Sequence, residues 1–396
     1  MAVSSVFDVV VVGGGPAGAT AATDLARQGR SVLLLDKAGR IKPCGGAIPP
    51  RLIRDFEIPD HLLVAKVNGA RIVSPSDRRV DMPIENGFVA MVDREIFDEW
   101  LRDRAARAGA VRQAGQFEKL VQVENGLTVV EYRCGATGAT ARVRARAVIG
   151  ADGARSAVAR QCIPGAERVP CVFAYHEIVR SPAAKTTAFD ASRCDVYYRG
   201  SLSPDFYGWV FPHGETTSVG TGSARKGFSL RAAVGELRKC AGLEGAETVR
   251  CEGAPIPMRA LRRWDNGRDV LLAGDAAGVV APASGEGIYY AMACGRFAAD
   301  AVHAFLETGD ARELGKARRR FMKLHARVFW VLGIMQRFWY RSDRRRERFV
   351  SICRDPDVQK LTWEAYMNKE LVRAKPIAHI KIFFKDLAHL FGLVTP

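Results

Sequence analysis

Acidic residues are in short supply in this chain of 396 residues: 43 Asp and Glu stand against 59 Lys and Arg, a formal net charge of +16. Its nine cysteines include no C-x-x-C pair and no Cys/His cluster with zinc-ligand spacing, which argues against a zinc module; their odd number fits a reduced, cytoplasmic compartment. Long apolar runs are missing as well. The longest candidate near the C-terminus, Val328 to Met335, is bounded by Arg327 and by Gln336 and Arg337, well short of the roughly 20 residues a membrane span needs. Met1 to Phe7 has no basic region of the signal-peptide kind, and the apolar run Val9 to Val12 breaks at once into glycines. A soluble or peripheral protein is expected. With 48% hydrophobic and 26% charged residues, disorder is excluded and two or three lobes can be filled.

What is present begins with glycine. Phe7 to Val12 is β-branched and apolar, Gly13-Gly-Gly-Pro-Ala-Gly18 turns, Ala19 to Gln28 is alanine-rich, and Ser31 to Leu35 is apolar again, so the segment reads as a βαβ unit. Gly13, Gly15 and Gly18 have G-x-G-x-x-G spacing, and Asp36 ends the second strand 23 residues after Gly13. In that setting Gly13 permits the turn, Gly15 lets backbone approach a pyrophosphate and Gly18 allows close helix packing. Asp36 can accept ribose hydroxyls, and the helix N-terminus faces the phosphates. Dinucleotide binding is the expectation.

Two later strand-turn pieces, Ala147 to Gly153 and Asp269 to Asp275, would end at the same sheet edge and bring Asp152 with Gly153, and Gly274 with Asp275, to the ligand. No second glycine fingerprint follows, since Gly220-Thr-Gly222 lacks the third glycine. One dinucleotide fold in a redox chain points to resident FAD with a transient nicotinamide. After Asp275 a loop containing Gly278, Pro282, Gly285 and Gly287 enters a helix that runs to about Glu307. Such an entry presents free N–H groups and a positive dipole end.

Tyr207, Trp209 and Phe211 recur at period 2 and would share one face of a strand, walling an apolar tunnel or filling a sheet core. Asp93 is a candidate N-cap for a helix with Phe97, Trp100 and Leu101 on one face, and Arg94 is placed to reach a phosphate. Cys44 lies in the rigid loop from Lys42 to Pro50, which has neither helical nor strand pattern; its Pro and Gly neighbours point to a cofactor-proximal role. His176 and His213 are possible acids or bases, though an ordinary structural role is the expectation for each. Residues 310 to 396 hold 20 Lys and Arg against 9 Asp and Glu, so the basic excess is concentrated there. Residues 311 to 341 read as one long helix, and Ile377, Ile380, Phe384, Leu387 and Phe391 form an apolar stripe beside Lys381 and Lys385. A helix of that kind can lie on an anionic membrane. No nucleic-acid-binding module appears, and the aromatic row is not basic.

The glycine fingerprint, Lys42-Pro-Cys-Gly-Gly-Ala-Ile-Pro49, the turns at Asp152 and Asp275, Ser203 to Pro212, and Ser284-Gly-Glu-Gly-Ile-Tyr289 together resemble the geranylgeranyl reductases of chlorophyll and bacteriochlorophyll synthesis. The likeness continues through Phe338 to Ser342 and Val358 to Tyr366, and is strongest to the proteobacterial branch. It implies an α/β chain with α+β elements in its second lobe: an FAD-binding, Rossmann-like fold of the para-hydroxybenzoate hydroxylase type, with a β-sheet substrate lobe and a helical tail. The implied divisions are FAD-binding parts at 1–75, 76–160 and 261–310, a prenyl-binding lobe at 161–260 and a basic helical region at 311–396. The resemblance further implies FAD, NADPH as electron donor, and reduction of geranylgeranyl bacteriochlorophyll or geranylgeranyl diphosphate to the phytyl level. Pigment-synthesis enzymes such as the pigment synthase are possible partners, on the inner photosynthetic membrane.

By the same resemblance Gly13, Gly15, Pro16, Ala17, Gly18, Asp36 and Lys37 hold the ADP half, with help from Arg94. Asp152, Gly274 and Asp275 meet the ribityl-pyrophosphate, and Gly285, Gly287 and Ile288 lie under the isoalloxazine, which Cys44 and Gly45 flank. Tyr207, Trp209 and Phe211 line the prenyl cavity. An isolated trisubstituted alkene accepts hydride poorly, so protonation or polarisation must accompany it; the rings of Tyr207 and Trp209 can stabilise cationic charge, and Cys44 is the candidate for proton management. Rival readings are a flavin monooxygenase of an aromatic substrate and an archaeal-type isoprenoid lipid reductase.

Overall fold

The computed structural model describes residues 6–37, 41–122 and 126–369. Two compact units are present, each built from three separated pieces of chain: 1–41, 94–171 and 255–326 in the first, and 42–93, 172–254 and 327–396 in the second.

In the first unit, strand Val6–Val12 pairs in parallel with Val32–Asp36 on one side and with the C-terminal half of Thr140–Gly150 on the other. Val32–Asp36 continues to the start of Val111–Gln122, and Thr140–Gly150 to the short strand Val270–Leu272, so five strands run parallel. Thr128–Cys134 joins the outer stretches of the two long strands in an antiparallel meander. Val9 to Val12 and Val32 to Leu35 are buried throughout, which explains their unbroken apolar sequence: both faces of a parallel sheet are covered. Helix Pro16–Arg27 supplies one cover, and small residues let its partners come close. A Cβ on Gly295, in helix Ile288–Thr308, would stand 2.2 Å from the Ala17 carbonyl oxygen.

The second unit is dominated by a seven-stranded sheet in which Gly208–His213 lies between Cys194–Tyr197 and Thr216–Ser223, antiparallel to both. Helix Leu230–Cys240, capped by the Ser229 hydroxyl, packs Val234 and Leu237 on one face against Val179, Val210 and Val219. A smaller sheet joins Ala47–Ile48, Val89–Val92 and Leu63–Val67. The loop expected from Lys42 to Pro50 thus holds a two-residue strand, and helix Pro50–Asp55 begins at its end.

The long helix expected over 311 to 341 is a single turn at Ala311–Glu313 and a helix at Gly315–Trp339. Arg344, Arg345 and Arg346 belong to the next helix, Asp343–Ile352, capped by Ser342. Arg346 is no surface charge: it is 2% exposed, its guanidinium bonded to the Pro204 and Tyr340 carbonyls and to Asp343. The expected break between residues 75 and 76 falls within the hairpin of Gly69–Val73 and Arg79–Pro83, and the basic region from 311 onward divides between the units near residue 326. The apolar stripe at 377–391 lies outside the described residues.

Candidate functional site

The first unit stitches its glycines to one sheet edge. The Gly13 N–H donates to Leu35 O at 2.7 Å, the Ala151 N–H to Val12 O at 2.7 Å, and the Ala273 N–H to Gly150 O at 2.9 Å. The three fingerprint glycines answer three different constraints. Gly13 has φ of +104°, and a Cβ there would stand 2.3 Å from the Ala151 carbonyl oxygen; at Gly18 it would stand 1.8 Å from the Gly13 carbonyl oxygen. At Gly15, with ordinary extended backbone, a Cβ would meet nothing within 4 Å. The protein leaves that position open, as the close approach of a pyrophosphate expected there would require.

Pro16 and Ala17 begin the helix without a side-chain cap and without an acidic residue in the first turn, so its N–H groups are left for a ligand. The Asp36 carboxylate accepts the Gly14 N–H at 2.6 Å, with Arg102 at 3.7 Å. Burial raises its pKa above the ordinary value, while the Gly14 N–H and Arg102 pull the other way. Lys37 follows, exposed. Arg94 is buried and bidentate to Asp98, at 2.8 and 2.7 Å, one turn along the helix Arg94–Arg107. An arginine that does meet the glycine turn is Arg102, whose guanidinium lies 3.4 Å from Gly14 O.

Asp152 is engaged inside its own loop: its oxygens accept from the Ser156 hydroxyl and from the Ala157 and Val158 N–H groups, capping helix Ala157–Cys162. Burial raises this carboxyl too. Gly153 beside it, with φ of +86°, faces open space. Gly274, with φ of +64°, packs so closely on Ala17 that a Cβ would lie 2.6 Å away, and Asp275 follows it in the same short turn. The loop from Ala281 to Gly287 is tight: the Gly285 N–H donates to Ala281 O, and the Ala281 N–H returns to Glu286 O. Gly285 and Ala283 take left-handed φ values, and Gly287 leads uncapped into Ile288–Thr308, again with no acid in the first turn. Two uncapped helix starts and one open glycine suit a dinucleotide with a pyrophosphate, and FAD fits them.

In the second unit Tyr207, Trp209 and Phe211 share one face, with ring centroids 6.1 and 6.4 Å apart in sequence order. The opposite face of the strand goes to helix Leu230–Cys240, since a Cβ on Gly208 would stand 3.1 Å from Leu237. Phe206 stacks on Tyr207 at 4.3 Å, and Tyr198 connects Tyr207 to Tyr340 and Phe349. The Cys44 loop lies against this row: a Cβ on Gly45 would meet the Phe211 ring at 2.9 Å, and one on Gly46 would meet His213 Nε2 at 2.5 Å. The Gly46 N–H donates to Cys44 Sγ at 3.4 Å. His213 is held through Nδ1 at Phe211 O, and burial lowers its pKa.

Four participants were not picked out by sequence reasoning. Ser218, Gly220 and Glu252 gather around Trp209 together with His176, and Arg102 stands at the glycine edge. For Gly220 and Ser218 a signal existed. A hairpin turning at Gly214 and Glu215 pairs Trp209 with Gly220 and Phe211 with Ser218, small residues opposite large ones.

An FAD binding domain family model matches residues 6–314. The chain is 59% identical over 390 residues to a geranylgeranyl diphosphate reductase of Rhodobacter capsulatus, covering 98% of this chain and 99% of that one. It is 36% identical to the chloroplastic geranylgeranyl diphosphate reductase of Arabidopsis thaliana, covering 96% of this chain and 85% of the plant protein. Among solved structures, a geranylgeranyl bacteriochlorophyll reductase-like protein of Thermoplasma acidophilum superposes with a TM-score of 0.81 at 24% identity, over 95% of this chain and all of that one.

Proposed function

Because this chain belongs to the FAD-binding-domain family and, within it, to the geranylgeranyl reductases, we propose that it reduces a geranylgeranyl chain to phytyl, saturating three double bonds. The chain is carried by bacteriochlorophyll or by diphosphate, and NADPH is the electron donor. FAD, when bound, supplies the hydride chemistry. Gly13, Gly15 and Gly18 admit its pyrophosphate to the N-terminus of Pro16–Arg27, Asp36 takes ribose hydroxyls, and the start of Ile288–Thr308 offers a second set of N–H groups. Asp152 and the buried Arg94 act by fixing their own loop and helix.

The observation that carries the substrate reading is the row Tyr207, Trp209, Phe211. Its rings are largely buried and packed edge to face or tilted, and the polar N–H of Trp209 is turned to Ser218 at 3.1 Å, so an isoprenoid reaching the row would meet the carbon surface of the rings. Such surface excludes water and favours cationic character on carbon. The purified protein is expected to be yellow, to bleach with NADPH under anaerobic conditions, and to regain its colour on addition of geranylgeranyl bacteriochlorophyll. A colourless protein, or recolouring that requires oxygen, would overturn this reading in favour of another activity.

Cys44, on the loop against the aromatic row, is proposed to manage a proton or to position the chain. Cys44→Ala should keep normal FAD content and lose about tenfold in kcat, within the range of a lost acid-base or positioning group. Full turnover in that variant would remove Cys44 from the chemistry.

A peripheral membrane site is proposed on Gly315–Trp339. Among the described residues no helix is long and apolar enough to cross a membrane. Trp330 (69% exposed) and Ile334 (47%) stand four residues apart on that helix, with Arg327 and Arg337 exposed three residues to either side. Apolar side chains flanked by arginines suit an anionic lipid surface. Trp330→Glu with Ile334→Glu should abolish sedimentation with phosphatidylglycerol vesicles at unchanged FAD content, and truncation before Pro376 reports separately on the terminal stripe.

A further inference from the structure

Trp209 is tied to a polar chain that starts at its indole, and a neutral His176 gives that chain one direction. The indole N–H can only donate, so Ser218 Oγ accepts it, at 3.1 Å, and has one proton of its own to give. His176 Nδ1 lies 2.9 Å from the same oxygen, and His176 Nε2 lies 2.9 Å from Glu252 Oε2. With the Ser218 O–H donating to Nδ1, a neutral His176 carries its own proton on Nε2 and donates it to Glu252. Every bond then points one way, from the indole to the carboxylate. The far end lies in an ion-pair network: the other Glu252 oxygen is 3.1 Å from Arg250 Nε, and Arg250 also pairs with Asp93 at 3.6 Å. His176 is 3% exposed and Ser218 fully buried, so the inner links of the chain lie out of water, where hydrogen bonds polarise one another, while Glu252 at the outer end is part-buried.

The near end is fixed by shape. A Cβ on Gly220 would stand 2.2 Å from Trp209 Cζ2 and 2.6 Å from the His176 Cβ, so the indole lies directly on the Gly220 backbone and beside the histidine. The indole of Trp209 thus has Gly220 beneath it and, through Ser218 and His176, a carboxylate at the end of its hydrogen-bond chain.

We propose that Ser218, His176 and Glu252 are positioning residues that hold the Trp209 indole in one pose and enrich its ring in electron density, making Trp209 the side chain that stabilises cationic character on the prenyl carbon during reduction. This rests on the geranylgeranyl reductase reading. No proton crosses the relay; the polarity of the hydrogen bonds strengthens the attraction between ring face and carbon cation.

The test has two arms on the FAD-loaded full chain. In a proton–nitrogen correlation spectrum the Trp209 indole signal is assigned by its loss in Trp209→Phe. It should move upfield in the proton dimension in Ser218→Ala and, less far, in Glu252→Gln, which keeps the shape of the side chain and removes its charge. In turnover with geranylgeranyl bacteriochlorophyll, Ser218→Ala should lose about tenfold in kcat, the scale of one desolvated cation–π contact, with KM within about twofold. The loss should vanish when Ser218→Ala is made in the Trp209→Phe background, because both act through one ring. An unmoved indole signal in Glu252→Gln, or an undiminished Ser218→Ala loss in the Trp209→Phe background, would overturn the relay. Absence of turnover in the parent protein, with the indole signals moving as expected, would overturn the functional reading instead.

Discussion

Gly15→Ala should leave the apoprotein as stable as the parent and weaken its hold on FAD about 10- to 100-fold, whereas Gly18→Ala should cost the fold itself. The two glycines are three residues apart and belong to one motif, yet they face different neighbours. At Gly15 the backbone is in a region alanine adopts freely, and nothing in the protein lies within 4 Å of the added carbon. The methyl group occupies only the space the pyrophosphate needs, and an overpacking cost of about 1.4 to 2.8 kcal/mol in the complex, within the usual range, converts to that loss of affinity. At Gly18 the added carbon would stand 1.8 Å from a carbonyl oxygen of the turn before it, and 3.1 Å from the Ala151 Cβ. Neither backbone nor strand can yield cheaply, so destabilisation should exceed about 3 kcal/mol, the upper end of ordinary overpacking. Thermal unfolding of the two apoproteins, followed by FAD titration, separates them. A Gly15→Ala protein that binds FAD as the parent does would mean that the phosphates lie elsewhere.

Gly220→Ala is expected to lower turnover about 100-fold at full FAD content, since displacement of a group by about an ångström is enough for such a loss. A methyl carbon at this position would overlap Trp209 Cζ2 and Cε2, at 2.2 and 2.5 Å, together with the His176 Cβ. The indole cannot keep both its hydrogen bond to Ser218 and its place on the strand. The overlap should also cost about 1 to 3 kcal/mol and several degrees of Tm. Gly235→Ala is the control: it lies inside helix Leu230–Cys240, faces open space, and should raise stability by about 0.5 to 1 kcal/mol without touching turnover. Equal turnover in the Gly220→Ala and parent proteins would show that the pose of Trp209 does not matter.

The residues themselves explain which parts of this were legible beforehand. Period and punctuation are local, so the strand at Val6–Val12, the turn at Gly13 and the helix after it could be read directly, as could the shared face of Tyr207, Trp209 and Phe211. Partners that meet through the sheet are not local. Glu252 reaches His176 across 76 residues, and Arg102 meets Asp36 across 66, with no spacing to announce either. Asp152 reads as a ligand contact because it ends a strand in a glycine turn; that it also accepts from the first N–H groups of the helix beginning at Ala157 shows only when Ser156 is seen beside it. Arginine at the start of a helix reads as a phosphate contact until Asp98, one turn later, is found to hold Arg94 with both oxygens.

The parallel strands of the first unit also set an order of events during synthesis. The fingerprint at residues 13 to 18 leaves the ribosome long before the strand Val270–Leu272 and the helix start at Ile288, which follow it by about 250 residues or more. Until then Thr140–Gly150 lacks its neighbour on one side, and a run of buried valines and isoleucine stands as an unpaired edge. The nascent chain must therefore carry the first βαβ segment unfinished while the sheet of the second unit is being translated, a period when a chaperone or early FAD would have the most to protect.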